Sequence, residues 1–412
     1  MTRMSSMSRH FKRAVAPAVA ALALAACAND APQDTWQPDG PDAQMIHDLQ
    51  WPIFLIAGIV GVIVFAIVLY ALVRFKDRGQ PIPEQTHGKA WLEYLFIALP
   101  AILLAIIAIP TVSTVIALNK TDDAECVINV TGQQWWWEYD YPVDADGQIC
   151  GFAPNNAAAP VVTSGQIVIP TDTTVVLRMT SRDVIHSFWI PKLNGKRDVV
   201  PGRVHTWRLE ASRPGIFAGQ CTEFCGLSHA NMRMEAVALK PDDFQTWLDN
   251  QLEPYAHPES GTLAATGEQT FIQQCSRCHQ VDGLTDADGD LVISEPEQFV
   301  YAGAAPNLTN LMTRNTFAGA SWDLLTADCR ERLWDPDLDP DEFGALYLEG
   351  VTPECLNEID LKEWLRDAPG KKPMYADPAE LAETDGMYRG MPYLALSEPQ
   401  LDELVAYLLE RK

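Results

Sequence analysis

Two apolar stretches, about Pro52 to Val73 and about Leu92 to Leu118, each have the length of a membrane-spanning helix. They constrain every other reading of the chain. The loop between them holds Arg74, Lys76, Arg78 and Lys89 against Asp77 and Glu84. The positive-inside rule puts that short loop in the cytoplasm, so both ends of the hairpin face outward and everything after about Asn119 lies outside the membrane. The chain has 412 residues, enough for two folded domains beyond the hairpin. Its formal net charge of −25, from 55 acidic and 30 basic side chains, excludes nucleic acid as an expected partner. A basic protein partner fits better.

The start of the chain agrees with that topology. Arg9, Lys12 and Arg13 precede an apolar run, Ala14 to Ala26, too short to span a bilayer, which predicts a secretory signal over 1–26. The run ends Leu24-Ala25-Ala26-Cys27, which resembles the bacterial lipoprotein processing site and implies a lipidated Cys27. Ordinary signal cleavage nearby is the alternative. Residues 27–118 then hold an N-terminal segment and both spanning helices.

Residues 119–252 change period. Cys126–Val130, Gln166–Ile169 and Val175–Met179 are β-branched runs between turn residues, which predicts a β-sandwich or barrel, followed by a short amphipathic helix from Pro241 to Leu252. A Pro- and Gly-containing linker is expected at 253–261. Residues 262–412 are helical in pattern and acidic, ending in a helix from Glu398 to Leu409 with apolar residues at Leu401, Leu404, Val405, Leu408 and Leu409.

Two motifs carry chemistry. Within the twelve residues Cys221 to Met232 fall two thiols, the His229 imidazole and the Met232 thioether, with His186 on an earlier strand. Soft thiolate with imidazole and a weak thioether is the donor set of electron-transfer copper, and two cysteines suggest a binuclear site with bridging thiolates. A disulfide would need neither histidine nor Met232, and structural zinc would not need Met232. The second motif, Cys275-Ser276-Arg277-Cys278-His279, is the c-type haem attachment pattern: two thioether-forming thiols beside a proximal iron ligand.

The copper segment resembles that of cytochrome c oxidase subunit II, as do Asp183–Pro191, Lys196–Arg203 and the aromatic run Gly132-Gln133-Gln134-Trp135-Trp136-Trp137-Glu138-Tyr139. The resemblance covers roughly 48–252 and implies a cupredoxin-like β domain behind a two-helix hairpin. It implies that His186, Cys221, Cys225, His229 and Met232 bind a copper pair through side chains, and Glu223 through its backbone carbonyl. The Glu223 carboxylate would face a magnesium site shared with subunit I. Trp135 would be a surface aromatic at which electrons arrive, and three consecutive Trp on a strand should not all face inward. Glu93, at the cytoplasmic start of the second helix, would mark a proton-channel entrance. Met391-Pro392-Tyr393 resembles the distal-ligand segment of small bacterial cytochromes c, which implies an all-α, class I-like cytochrome c domain with Met391 opposite His279. Met374 and Met387 are rivals.

Compared with a minimal cytochrome, about 282–302 and about 321–359 look inserted. The acidic stretch 286–297 lacks the glycine that a calcium loop needs and is expected to be solvated. Of the remaining cysteines, Cys126 and Cys150 fall in the β domain and Cys329 and Cys355 in the C-terminal domain, which predicts a disulfide in each.

The resemblance implies an electron-entry subunit on the outer face of a bacterial plasma membrane, anchored in membrane lipid. Electrons would pass from cytochrome c or a cytochrome bc complex through haem c and the copper pair to the oxygen-reducing, proton-pumping subunit I, with subunit III as a further partner. A copper-containing nitric oxide reductase subunit is the alternative enzyme, distinguished by its catalytic partner. Quinol oxidase subunits lack these copper ligands, and a copper-delivery lipoprotein would need neither the haem motif nor the tryptophans.

Overall fold

The computed structural model describes residues 31–79, 84, 87–121, 124–156, 159–293, 305–376, 379 and 389–412. The signal segment with Cys27, the end of the acidic stretch and Met387 lie outside these residues.

Helix α1 runs Pro41–Arg74 and α2 runs Ala90–Leu118, pairing as the expected hairpin. Their apolar side chains are largely exposed on the outside of the chain, the arrangement a lipid environment requires. Helix α1 begins eleven residues earlier than the apolar stretch, at Pro41, because Gly40-Pro41 starts it and its first turn docks on protein. The Asp39 N–H donates to the Lys192 carbonyl at 2.8 Å, and the Asp39 carboxylate takes the Arg213 Nε at 2.6 Å and the Lys192 Nζ at 3.2 Å. Asp42, buried, accepts from Asn194 Nδ2 at 3.2 Å and faces Arg208.

The next segment is a two-sheet β fold. Strands β1 (Cys126–Gln133), β2 (Trp136–Tyr141), β3 (Val161–Ser164), β5 (Val175–Ser181) and β8 (His205–Leu209) form one sheet in the order β3-β2-β1-β5-β8. Only the β1–β5 pairing in that sheet is parallel. Strands β4 (Gln166–Pro170), β9 (Gly215–Gln220) and β10 (Arg233–Leu239) form the second sheet, and β6 (His186–Trp189) pairs with β7 (Lys196–Val199). Ile128, Val130, Trp137, Tyr139, Ile167 and Phe217 fill the space between the sheets. Cys126 is bonded to Cys150, and α3 (Pro241–Gln251) closes the domain with Phe244, Trp247 and Leu248 turned inward.

After 253–261 the chain is mainly helical: α4 (Leu263–Gln274), α5 (Ala327–Leu333), α6 (Pro340–Glu349), α7 (Glu358–Arg366), α8 (Ala368–Lys371) and α9 (Glu398–Leu409). A two-residue strand pair, β11 (Thr316–Phe317) and β12 (Trp322–Asp323), interrupts them, and Cys329 is bonded to Cys355. The expected linker is packed rather than loose. Tyr255 OH donates to the Glu268 carboxylate, and His257 bonds Glu268 at 2.9 Å and Thr285 at 3.0 Å.

Helices α4 and α9 cross at Gly267, where an added Cβ would collide with the Glu403 carbonyl and meet Tyr407 Cβ at 2.8 Å. Gly267→Leu therefore has to separate the two helices. It is expected to destabilise the C-terminal domain by about 1–3 kcal/mol or more, read as a lower midpoint in thermal unfolding followed by far-UV circular dichroism.

Candidate metal centre

Strand β9 ends at Gln220, and the chain turns through Cys221–Met232 before returning as β10. The Cys221 N–H donates to the Met232 carbonyl at 2.9 Å, closing the turn, and the Thr222 N–H donates to the Ser187 carbonyl at 3.0 Å, tying it to β6. Gly226 takes a φ of +106, and a Cβ there would lie 2.8 Å from Gln134 Nε2, so the turn requires glycine.

These constraints gather the sequence-expected donors. His186, Cys221 and Cys225 offer ligand atoms all within 4.8 Å of one another, and all three are buried. The two Sγ atoms are 3.9 Å apart, well beyond a disulfide. His229 Nδ1 lies 3.4 Å and Met232 Sδ 3.8 Å from Cys225 Sγ, and the Glu223 carbonyl oxygen lies 3.3 Å from Cys221 Sγ. The Glu223 side chain is exposed. His186 turns Nδ1 toward Cys221, at 4.0 Å, and donates its Nε2–H to Asp183 at 2.9 Å. That fixes which nitrogen is left for a metal. Hydrogen bonding from the Cys225 thiol pulls the Cys221 thiol down to about 4, against its burial, with His186 helping. The same hydrogen bond, with burial and then the charge on Cys221, holds the Cys225 thiol up. Two unbridged buried sulfurs, two imidazoles, a thioether and an inward carbonyl fit a soft metal pair.

Trp135 departs from expectation. It is not at the surface: 2% of it is exposed. Its indole Nε1–H donates to the Cys225 carbonyl at 3.0 Å, and the other side is covered by the C-terminal domain, with the Tyr375 ring at 5.6 Å and Gly319 against its carbonyl. Trp136 and Trp137 are buried too, so all three tryptophans are out of water. Alternation on β2 separates Trp136 from Trp137: Trp137 joins the main core, whereas Trp136 packs with Val162 of β3 and has Gly319 of the C-terminal domain against its backbone.

The haem-motif residues follow α4. Cys275 is buried at the helix end, Cys278 is partly buried, and neither is in a disulfide. His279 donates its Nδ1–H to the Pro306 carbonyl at 2.8 Å, leaving Nε2 for a ligand role, and burial lowers its pKa. Met391 is half-buried, next to Gly390, which packs on the more deeply buried rival Met374. Glu93 is exposed in the first turn of α2. Asp286 accepts from the Asp288 and Asp290 N–H groups, an exposed turn in the acidic stretch.

Sequence reading missed the supporting residues. Asp183 was legible, since a carboxylate three residues before a candidate His ligand is a known way to orient it. Gln134, which donates its Nε2–H to the Cys225 carbonyl at 2.8 Å, carried no local signal.

Known proteins resemble the chain along both the hairpin and the β domain. Residues 126–238 match the family model described as cytochrome c oxidase subunit II, periplasmic domain, and residues 33–114 match that of its transmembrane domain. The chain is 31% identical over 401 residues to cytochrome c oxidase subunit 2 of Alkalihalophilus pseudofirmus, covering 95% of this chain and 94% of the relative. It is 30% identical over 353 residues to that of Bacillus sp. (strain PS3), covering 82% and 79%. The crystal structure of the periplasmic domain of subunit II of the Bradyrhizobium japonicum cytochrome oxidase is 28% identical, with a TM-score of 0.27, covering 32% of this chain and 96% of that one.

Removing the Asp183 carboxylate frees the His186 ring. Asp183→Ala is expected to weaken copper binding by roughly 10- to 100-fold, measured by competition with a chromogenic chelator.

Proposed function

The chain belongs to the cytochrome c oxidase subunit II family, and from that premise we propose that it is a bacterial electron-entry subunit carrying its own cytochrome c domain. Family membership makes it a membrane-anchored subunit of cytochrome c oxidase, with a binuclear copper domain outside the membrane and other oxidase subunits as partners. The finer assignment is that electrons reach the β domain, 119–252, through a haem c domain, 262–412, and leave for the oxygen-reducing subunit I.

One observation carries this reading: two buried, unbridged cysteine sulfurs 3.9 Å apart, with two histidines and a methionine around them. In it, Cys221 and Cys225 would hold the metals through their thiolates, His186 and His229 through imidazole, and Met232 and the Glu223 carbonyl would complete the set. A copper pair held this way supplies one-electron transfer with the charge shared by two metals. Asp183 holds the His186 ring, and the 3.0 Å bond from Trp135 to the Cys225 carbonyl holds the turn. Cys275 and Cys278 would attach a haem, and His279 and Met391 would bind its iron, a ligand pair that favours a high potential. The Nδ1–H bond of His279 to Pro306 supports that role by fixing its tautomer.

In this reading an external donor docks on the C-terminal domain and Trp135 acts between the domains, which its covered position supports. A basic cytochrome c or cytochrome bc complex fits the acidic chain. The exposed Glu223 carboxylate is available to a magnesium site shared with subunit I, and Glu93 to a proton entrance. Subunit III, lipidation of Cys27 and the disulfide-forming, exported setting belong to the same reading.

The test is the purified full chain, studied by optical and electron paramagnetic resonance spectroscopy. The expected result is a mixed-valence two-copper signal that Cys221→Ser abolishes, beside a low-spin haem c band that His279→Ala abolishes. Haem without the copper signal would sink the copper assignment; copper without haem would sink the fused-cytochrome assignment.

A further inference from the structure

The C-terminal domain places two buried cations beside the copper-binding turn. Lys372, 3% exposed, donates its Nζ to the Trp135 carbonyl at 2.9 Å and to the Ala318 carbonyl at 2.7 Å. Among the described residues no carboxylate pairs with it, and the charge that favours its protonated form is that of Cys225. Trp135 in turn donates to the Cys225 carbonyl, so one residue separates this ammonium from a copper ligand. Arg389, 7% exposed, brings its Nε to 4.0 Å from Asp183 Oδ2. The other oxygen of that carboxylate takes the His186 Nε2–H, so one residue again separates a cation from a copper ligand. The two cations share one small unit. The Arg389 N–H donates to the Tyr375 carbonyl at 2.8 Å, and the Tyr375 ring lies over Trp135.

Burial lowers the Lys372 pKa to about 7, so its ammonium is held below neutral pH at a desolvation cost that calls for an offsetting gain. Packing alone would be served better by an apolar side chain at position 372. A fixed positive charge in a region of low polarizability stabilises added negative charge nearby. Adding an electron to the turn's metal pair is such a change.

We propose that Lys372 and Arg389 are positioning residues through which the C-terminal domain raises the copper site's affinity for an electron, making it a better acceptor while that domain is docked. The inference rests on the copper reading above. Lys372 acts through Trp135 and the Cys225 carbonyl, Arg389 through Asp183 and the His186 ring. The relation is one-way in the chain: a subunit ending after α3 would have the same ligands and a weaker acceptor.

The experiment is a redox titration of the copper-loaded full chain, recording the copper and haem signals together. The buffer is mildly acidic, below the value of about 7 to which burial depresses Lys372, so that its charge is present. Lys372→Met and Arg389→Gln are each expected to lower the copper midpoint, so that the equilibrium constant for copper reduction falls roughly three- to tenfold; tenfold corresponds to about 59 mV for one electron. Arg389→Lys, which keeps the charge, should restore most of the shift. Where Lys372→Met does not fold, Lys372→Gln keeps a donor to both carbonyls and should show the same fall. A copper midpoint unchanged in the charge-removing variants, with the mixed-valence signal intact, overturns the inference and leaves the copper reading standing. A shift that Arg389→Lys fails to restore overturns it too, since packing rather than charge is then responsible. Absence of the mixed-valence signal in the unaltered chain removes both together.

Discussion

Trp135, Trp136 and Trp137 sit where β1 turns into β2, and keeping all three rings out of water requires that corner of the sheet to be covered on both sides. The inner cover is the sandwich core, where Trp137 meets Phe188 edge-on at 5.3 Å. The outer cover is the C-terminal domain, through Ala318-Gly319, Lys372 and Tyr375. Arg314 adds to it from a fully buried guanidinium, donating to Ser164 Oγ at 2.8 Å and to the Asn307 carbonyl at 2.8 Å. Without the outer cover the aromatic corner would be an exposed apolar patch beside the metal-binding turn. The C-terminal domain is thus part of the structural support of the β domain, and the packed segment at Tyr255 and His257 is consistent with a fixed arrangement.

The same exported chain has to oxidise some cysteines and spare others. Cys126 with Cys150, and Cys329 with Cys355, are bonded. Cys221 and Cys225, only four residues apart, are kept 3.9 Å from each other by the turn that Cys221, Met232 and Ser187 close with main-chain hydrogen bonds. Geometry decides between structural bridge and metal ligand here, because all of these thiols have the same intrinsic chemistry.

Much of this was legible in the sequence because the signals are local. The hairpin follows from length and charge, the β domain from short β-branched runs, and the donor set from twelve residues of spacing around Cys221 to Met232. What was not legible is tertiary. Lys372 reaches Trp135 across 237 positions, and no pattern in either segment announces the other. The expectation that one tryptophan must meet water came from strand alternation, which says which faces differ and not what lies against each. Helix α1 extends beyond its apolar stretch for a related reason: hydropathy marks the lipid-facing part of a helix, whereas Asp39 and Asp42 belong to a polar extension held by Lys192, Asn194 and Arg213.

That extension gives the membrane anchor a second task. Pro41 to Pro52 is about 17 Å of continuous helix at 1.5 Å per residue, clamped at its far end to the β domain. The domain is therefore carried on a rigid stalk and not on a flexible leash, so tilting the helix in the bilayer swings the whole electron-accepting unit with it. The thickness of the surrounding lipid becomes one of the quantities that sets how high the metal-binding turn stands above the membrane.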